Sequence, residues 1–225
     1  MTAVRLATLA VLLTAVLGGC AANLPVPVLL TLPSAALPGD RSETRTAMTT
    51  PTTSTTTAPP TATVPVTLHP ELAVRRVTLP EYLVSRRVRY RADAATLAEW
   101  PNTYWAERIE IGVAREFAAA LRQQLPGWAV CDVNCGDAAP QLSLEVDLLA
   151  MDYLRGSQTL RARARITVRS RANGAAAPSR QAPAEELAID LPVGADTAQA
   201  HAQAIAELIQ QVARAAVLQV RAARS

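Results

Sequence analysis

Two neighbouring segments restrict the fold of this chain more than any other part of it. Leu142, Leu144, Val146, Leu148 and Ala150 alternate with Ser143, Glu145 and Asp147, and Leu160, Ala162, Ala164, Ile166 and Val168 alternate with Arg161, Arg163, Arg165 and Thr167. A period of two puts the apolar side chains of each segment on one sheet face and the polar ones on the other. Turn residues Arg155-Gly156-Ser157 stand between them, so the two strands pair antiparallel. The pairing sets acids of the first strand opposite arginines of the second, worth ~0.2–1 kcal/mol per good pair. Such a sheet has one wet face and one face that needs cover.

The cover is legible in two helical patterns. Ile109, Val113, Phe117 and Leu121 recur every four residues, joined by Ala120, which predicts a helix from about 104 to 124 capped by Asn102 or Thr103 and ended by Pro126-Gly127. Ile205, Leu208, Ile209, Val212 and Ala216 mark a second helix, capped by Asp196 or Thr197 and running to about 221. On this pattern His201 falls on the polar face. Further strands are expected at 72–79, stopped by Pro80, and at 86–91, 128–133 and 185–191. The order predicts an α/β fold: a mixed sheet packed with two long helices, without internal repeats. Aromatic residues make up only 4%, and Phe117 is the single phenylalanine, so the core rests on aliphatic side chains. Trp105, in the first turn of the first expected helix and four residues before Ile109, is then a core anchor, with direct contact to a partner as the alternative.

The first third of the chain cannot fold in this way. Arg5, an apolar run from Leu6 to Leu17, and Gly18-Gly19 before Cys20 read as an export signal over residues 1–19, too short to span a bilayer. Leu17-Gly18-Gly19-Cys20 resembles the lipobox of bacterial lipoproteins, which implies cleavage before Cys20 and acylation of that cysteine. The alternative is an ordinary signal peptide cut near Ala21 or Ala22. Two or three acyl chains, at ~0.8 kcal/mol per buried methylene, anchor firmly where one does not. Ala21 stands where an Asp retains lipoproteins at the inner membrane, so the resemblance implies the outer membrane. Residues 20–65, rich in Thr and Pro, are expected to be a disordered tether reaching roughly 40 Å. The folded domain is expected over 66–225.

Composition and motifs narrow the chemistry. The net charge is +3 and every one of the 22 basic residues is arginine. No basic helix or aromatic–basic motif accompanies that charge, so nucleic acid is not expected as a partner. No phosphate loop, Gly-x-Ser-x-Gly or metalloprotease helix motif is present, and His69 and His201 stand in no ligand-spaced motif; neither an enzyme nor a metal or other cofactor is expected. Glu145 and Asp147, two apart on one strand face, read as a solvated ionic face sooner than as catalytic carboxylates. Cys131 and Cys135 form an even pair in an exported chain, which predicts a disulfide, with two free thiols as the alternative. Arg87, Arg89 and Arg91 are either a contact strip for an acidic partner or lipid head groups, or the wet face of an edge strand.

Three segments then carry a likeness. Val74-Arg75-Arg76-Val77-Thr78-Leu79-Pro80-Glu81-Tyr82-Leu83, Arg87-Val88-Arg89-Tyr90-Arg91, and Tyr104-Trp105-Ala106-Glu107-Arg108-Ile109 resemble, in that order, the first strand and its Leu-Pro-x-Tyr-Leu turn, the short second strand, and the start of the first long helix of the ABC-type transport auxiliary lipoproteins, which include the paraquat-inducible protein C group. The likeness covers about 66–215. It implies a non-enzymatic accessory of a lipid-transport system that works with a mammalian-cell-entry-type periplasmic protein, docks at the outer-membrane end, and in some members forms a ring. The family's aromatic first strand soon after the cysteine is absent; Val66-Thr67-Leu68 is read in its place. An envelope scaffold or cell-wall-binding lipoprotein is the competing reading, and a lipid-processing hydrolase a third.

Overall fold

The computed structural model describes residues 25–34, 70–132, 140–171 and 180–224. Among these residues nine strands and two α-helices follow one another as β1 (Val28–Leu30), β2 (Glu71–Thr78), β3 (Arg87–Arg91), β4 (Leu97–Trp105), α1 (Ile109–Gln124), β5 (Ala129–Cys131), β6 (Leu142–Leu154), β7 (Thr159–Ser170), β8 (Arg180–Gln181), β9 (Glu185–Pro192) and α2 (Ala198–Arg224). Among the described residues the strands form a single mixed sheet, as the patterning requires. The long β6 is its spine. One edge pairs antiparallel with β7 along its whole length, from Leu142↔Ser170 to Leu154↔Thr159. The other edge is shared: its first half pairs parallel with β2, and its end meets β3 at Leu154↔Arg91. From there the sheet continues through β4 to β1 on one side, and through β2 to β5 on the other. β9 and the short β8 flank β7.

Both helices lie over one face. α1 contacts β2 and β5, α2 contacts β6, β7 and β9, and the helices touch each other. The expected stripes are the buried ones, including Val113, Phe117 and Leu121 on α1 and Ile205, Leu208 and Val212 on α2. Thr197 caps α2, its Oγ1 accepting the Ala200 N–H at 3.1 Å. The opposite face carries the ion pairs, with one change from the expected pattern. Of the β7 arginines, Arg169 is the one ion-paired with an acid of β6, Glu145, at 3.2 Å. Arg161 and Arg165 turn instead to Asp190 and Glu186 of β9, at 3.0 and 2.6 Å. β7 has acids on both sides, and exposed pairs of this kind contribute ~0–1 kcal/mol each.

Two expectations are corrected. First, the helix expected from residue 104 begins only at Ile109, with Arg108 as its N-cap, and Trp105 ends a strand. Thr103-Tyr104-Trp105 are β-branched and aromatic and favour a strand. What disguised them is the irregularity before them: β3–β4 pairing jumps from Arg87↔Tyr104 to Arg89↔Glu99. Pro101 supplies no N–H, and Asn102 sits at φ +49, a left-handed conformation that Asn tolerates. A bulge at Pro-Asn-Thr therefore reads like a helix cap. Second, the expected tether of 20–65 contains a strand. β1 pairs parallel with β4 at Val28↔Thr103, Leu29↔Tyr104 and Leu30↔Trp105. Leu30 and Leu32 are buried, the Ala106 N–H donates to the Leu30 carbonyl at 2.8 Å, and Ser34 Oγ donates to the buried Glu116 carboxylate at 3.1 Å. Residues from about 25 onward thus pack with the domain expected over 66–225, and Val28-Leu29-Leu30 is a strand soon after Cys20 in sequence; Val66-Thr67-Leu68 lies outside the described residues. Residues 1–24 and 35–69 lie outside the described residues.

Candidate functional site

Four of the eight aromatic residues, Tyr90, Trp100, Trp105 and Tyr153, gather in one place, and a bulge in β6 helps bring them together. Leu142 to Leu148 bury every even position; the register then shifts between Leu148 and Ala150, and Met151 and Tyr153 become the buried ones. A bulge re-aims side chains in this way. Tyr153 stacks on His201 of α2 at 5.1 Å between ring centroids and on Trp100 at 6.3 Å. Trp100 in turn meets Tyr90 at 5.1 Å, and Trp105 meets His201 edge-on at 6.5 Å. Offset and edge contacts of this kind add ~0.5–1.5 kcal/mol beyond burial.

His201 is not on the polar face of its helix. It is 4% exposed, one turn before Ile205 on the buried stripe. Neither ring nitrogen has a hydrogen-bond partner among the described residues. Burial pushes its pKa down to about 4, so the ring is neutral at physiological pH. A cavity of about 10 Å³ lies beside it, with Trp105, Met151, Arg87 and Arg89 in its wall. That volume admits about one water molecule and no organic substrate. The imidazole packs among rings, and no hydroxyl, thiol or carboxylate is hydrogen-bonded to it among the described residues.

Polar groups lock the rim of this cluster. Asp196, just before α2, accepts the Tyr153 hydroxyl at 3.1 Å and the Arg155 Nε–H at 2.7 Å. Arg155 also donates to the Tyr90 hydroxyl at 2.9 Å, and its guanidinium lies 4.8 Å from the ring centroids of both Tyr90 and Trp100. Burial first, and then the Asp196 carboxylate, push the Tyr153 hydroxyl up to about 12, so it remains a donor. The β6–β7 turn is thereby fastened to the start of α2 and to β3. Asp196→Ala should lower stability by about 1–3 kcal/mol, since a buried hydroxyl loses its acceptor. Adding Tyr153→Phe should recover part of the loss, because the orphaned hydroxyl goes too; urea midpoints of the two variants check this, and a double variant weaker than Asp196→Ala would contradict it.

The arginine strip is placed beside the same cluster. β3 lies between β4 and β6 and is not an edge strand, contrary to one of the two sequence readings. Arg87 pairs with Glu99 at 3.3 Å and lies 5.2 Å from the Tyr104 ring centroid. Arg89 pairs with the same Glu99 at 3.4 Å and donates to the Tyr82 carbonyl at 2.6 Å. Arg91 pairs with Asp152 at 3.2 Å, and Asp152 also accepts the Tyr82 hydroxyl at 3.0 Å. The three guanidiniums are thus tied into the protein, with Arg87 the most exposed of them. Trp105, by contrast, is 5% exposed and faces the core.

The remaining sequence candidates do not join this cluster. Glu145 pairs with Arg169, and Asp147 accepts the Thr78 hydroxyl at 2.5 Å, which makes them parts of the ionic face. Cys131 ends β5, with Sγ 3.5 Å from the Leu72 carbonyl oxygen. Cys20, His69 and Cys135 lie outside the described residues. Among those described, no group of three or more His, Cys, Asp or Glu side chains is placed to hold a metal ion. Sequence reading missed His201, Trp100 and the Arg155–Asp196 pair. The four-residue spacing from His201 to Ile205 was the available signal; the two bulges that assemble the rest leave none.

The described residues form an α/β fold whose buried polar groups fasten packing elements together. The family model of the ABC-type transport auxiliary lipoprotein component matches residues 52–217, and the chain belongs to that family. It is thus a transport auxiliary lipoprotein, a membrane-anchored envelope component associated with an ABC-type transport system. No curated protein matches the sequence. A crystal structure of an uncharacterized protein shares the fold at 16% identity, with a TM-score of 0.57 over 67% of this chain and 92% of that one. Protein XCC0632 from Xanthomonas campestris is similar at 14% identity and a TM-score of 0.49, over 66% of this chain and 81% of its own.

Proposed function

We propose that the chain is an outer-membrane lipoprotein, acylated at Cys20, and a non-enzymatic accessory of an ABC and mammalian-cell-entry-type system that moves lipid between the two membranes. The observation that carries this reading is the family match over residues 52–217, which takes in β2 to the last turns of α2, behind a lipobox-like run ending at Cys20. The partner is the periplasmic transport protein, and the chain works there as a homo-oligomeric ring. The exposed end of the arginine strip, at Arg87, contacts that partner; Trp105 supports the surface from beneath.

Deleting the gene should slow lipid exchange between the membranes, and the intact chain should restore it. Cys20→Ala should not, because the domain is then no longer held at the membrane. Full restoration by Cys20→Ala contradicts the anchored accessory role. Mass spectrometry of the envelope-extracted protein should find Cys20 acylated at the mature N-terminus. We also propose a Cys131–Cys135 disulfide. Its loop is short, so its contribution is modest, at most about 2 kcal/mol. Thiol labelling of the denatured, unreduced protein should leave both cysteines unmodified, and labelling of both rules the bond out.

A further inference from the structure

Pro25-Val26-Pro27-Val28-Leu29 is a run of five consecutive exposed apolar residues at the outer edge of the sheet. Val26 is 85% exposed and Leu29 61%. Among the described residues β1 pairs with β4 alone, so this edge faces outward. Runs of exposed apolar residues mark contact surfaces. The edge is a poor template for another strand, however. Its strand has three residues, and the two prolines remove N–H donors that an added strand would need.

Position in the chain identifies the occupant. Val26 follows Cys20 by six positions. A fully extended chain spans at most ~3.6 Å per residue, so Val26 lies within about 20 Å of Cys20 whatever path the link takes. Acyl chains hold their cysteine at the level of the lipid head groups. An apolar edge kept that close to a bilayer has the bilayer as its nearest apolar phase. We infer that the exposed edge at Val26, Val28 and Leu29 seats on the phospholipid surface that carries the anchor, and so fixes the domain's orientation toward the membrane. This rests on the acylation of Cys20 proposed above. The Thr/Pro-rich stretch follows β1 in sequence, so it does not set the distance between β1 and the membrane.

The test is photo-crosslinking of the full-length chain in native envelope vesicles. Leu29 is replaced by p-benzoylphenylalanine, and Ala188, exposed on the outer strand β9, is replaced in a second chain as the reference. Mass spectrometry reads both the acyl modification and the adducts. Phospholipid adducts at position 29, at least fivefold more abundant than at 188, are the expected result. An acylated chain that crosslinks at 29 to protein, to nothing, or no more to lipid than at 188 overturns the inference alone. A chain without acyl groups overturns it together with the anchoring it rests on.

Discussion

Trp105→Ala should leave the domain folded but destabilised by several kcal/mol. Trp105 is 5% exposed, and it ties three parts of the fold together. Its strand position pairs with Leu30 of β1, its N–H donates to the Arg86 carbonyl at 2.6 Å, and its ring meets His201 on α2. Truncating a buried tryptophan costs about 3–5 kcal/mol, lost contact and residual cavity together. A domain of this size has about 5–15 kcal/mol in all. A lowered urea midpoint with little change in slope is therefore expected, and Trp105→Phe should retain most of the stability. If Trp105→Ala instead melts with the parent and loses only partner binding, the ring acts at the docking surface and its burial here is misleading.

Acidification should destabilise the domain from about pH 6.5 downward. His201 has a folded pKa of about 4 against an ordinary value of 6.5. The folded state is therefore the one that resists protonation. Its stability is complete above pH 6.5 and is lost as the pH falls toward 4, where the unfolded chain holds a proton that the folded one takes up poorly. At 1.36 kcal/mol per unit, the loss is about 3 kcal/mol by pH 4. His201→Phe keeps a ring between Tyr153 and Trp105 and removes both unpartnered nitrogens. Its melting temperature should exceed the parent's at pH 7, and the gap should widen between pH 6.5 and 4.5. Parallel pH profiles would show that the parent's His201 titrates normally and has solvent or a partner within reach.

The regular parts of this fold were legible because each strand or helix buries one face. The β6–β7 hairpin, the stripe of α2 and the α/β order could be read from residue spacing alone. Three things could not. β1 is only three residues long and carries no alternation, so a Pro-rich context hid it. Trp105 was placed correctly in the core for the wrong reason, since Pro101 and Asn102 form a bulge whose residues are also those of a helix start. The candidate cluster depends on a shift of register between Leu148 and Ala150, which turns Tyr153 toward His201. A bulge of one residue leaves no periodic trace, and no local pattern links positions as distant as Tyr90, Trp100, Arg155 and Asp196.

With the anchor at Cys20 proposed above, β1 would also change how that anchor acts. A Thr/Pro leash would let the domain search for its partner some tens of ångströms from the membrane. A strand that begins a few residues after Cys20 leaves it little freedom, so the surface offered to a partner is set by the sheet's orientation. On the seating inferred above, the ion-paired face of β6, β7 and β9 and the exposed end of β3 would be presented in a fixed relation to the bilayer.

The central claim is that the chain acts by binding a lipid-transport assembly, and purification of the acylated full-length protein from mildly solubilised envelopes tests it most directly. The mammalian-cell-entry-type protein and the ABC permease should co-purify in amounts comparable to the bait. Arg87→Gln should reduce their recovery severalfold with at most a small fall in melting temperature, since an exposed ion pair contributes about 0–1 kcal/mol. Recovery of the bait free of both, from envelopes in which they are abundant, would contradict the claim.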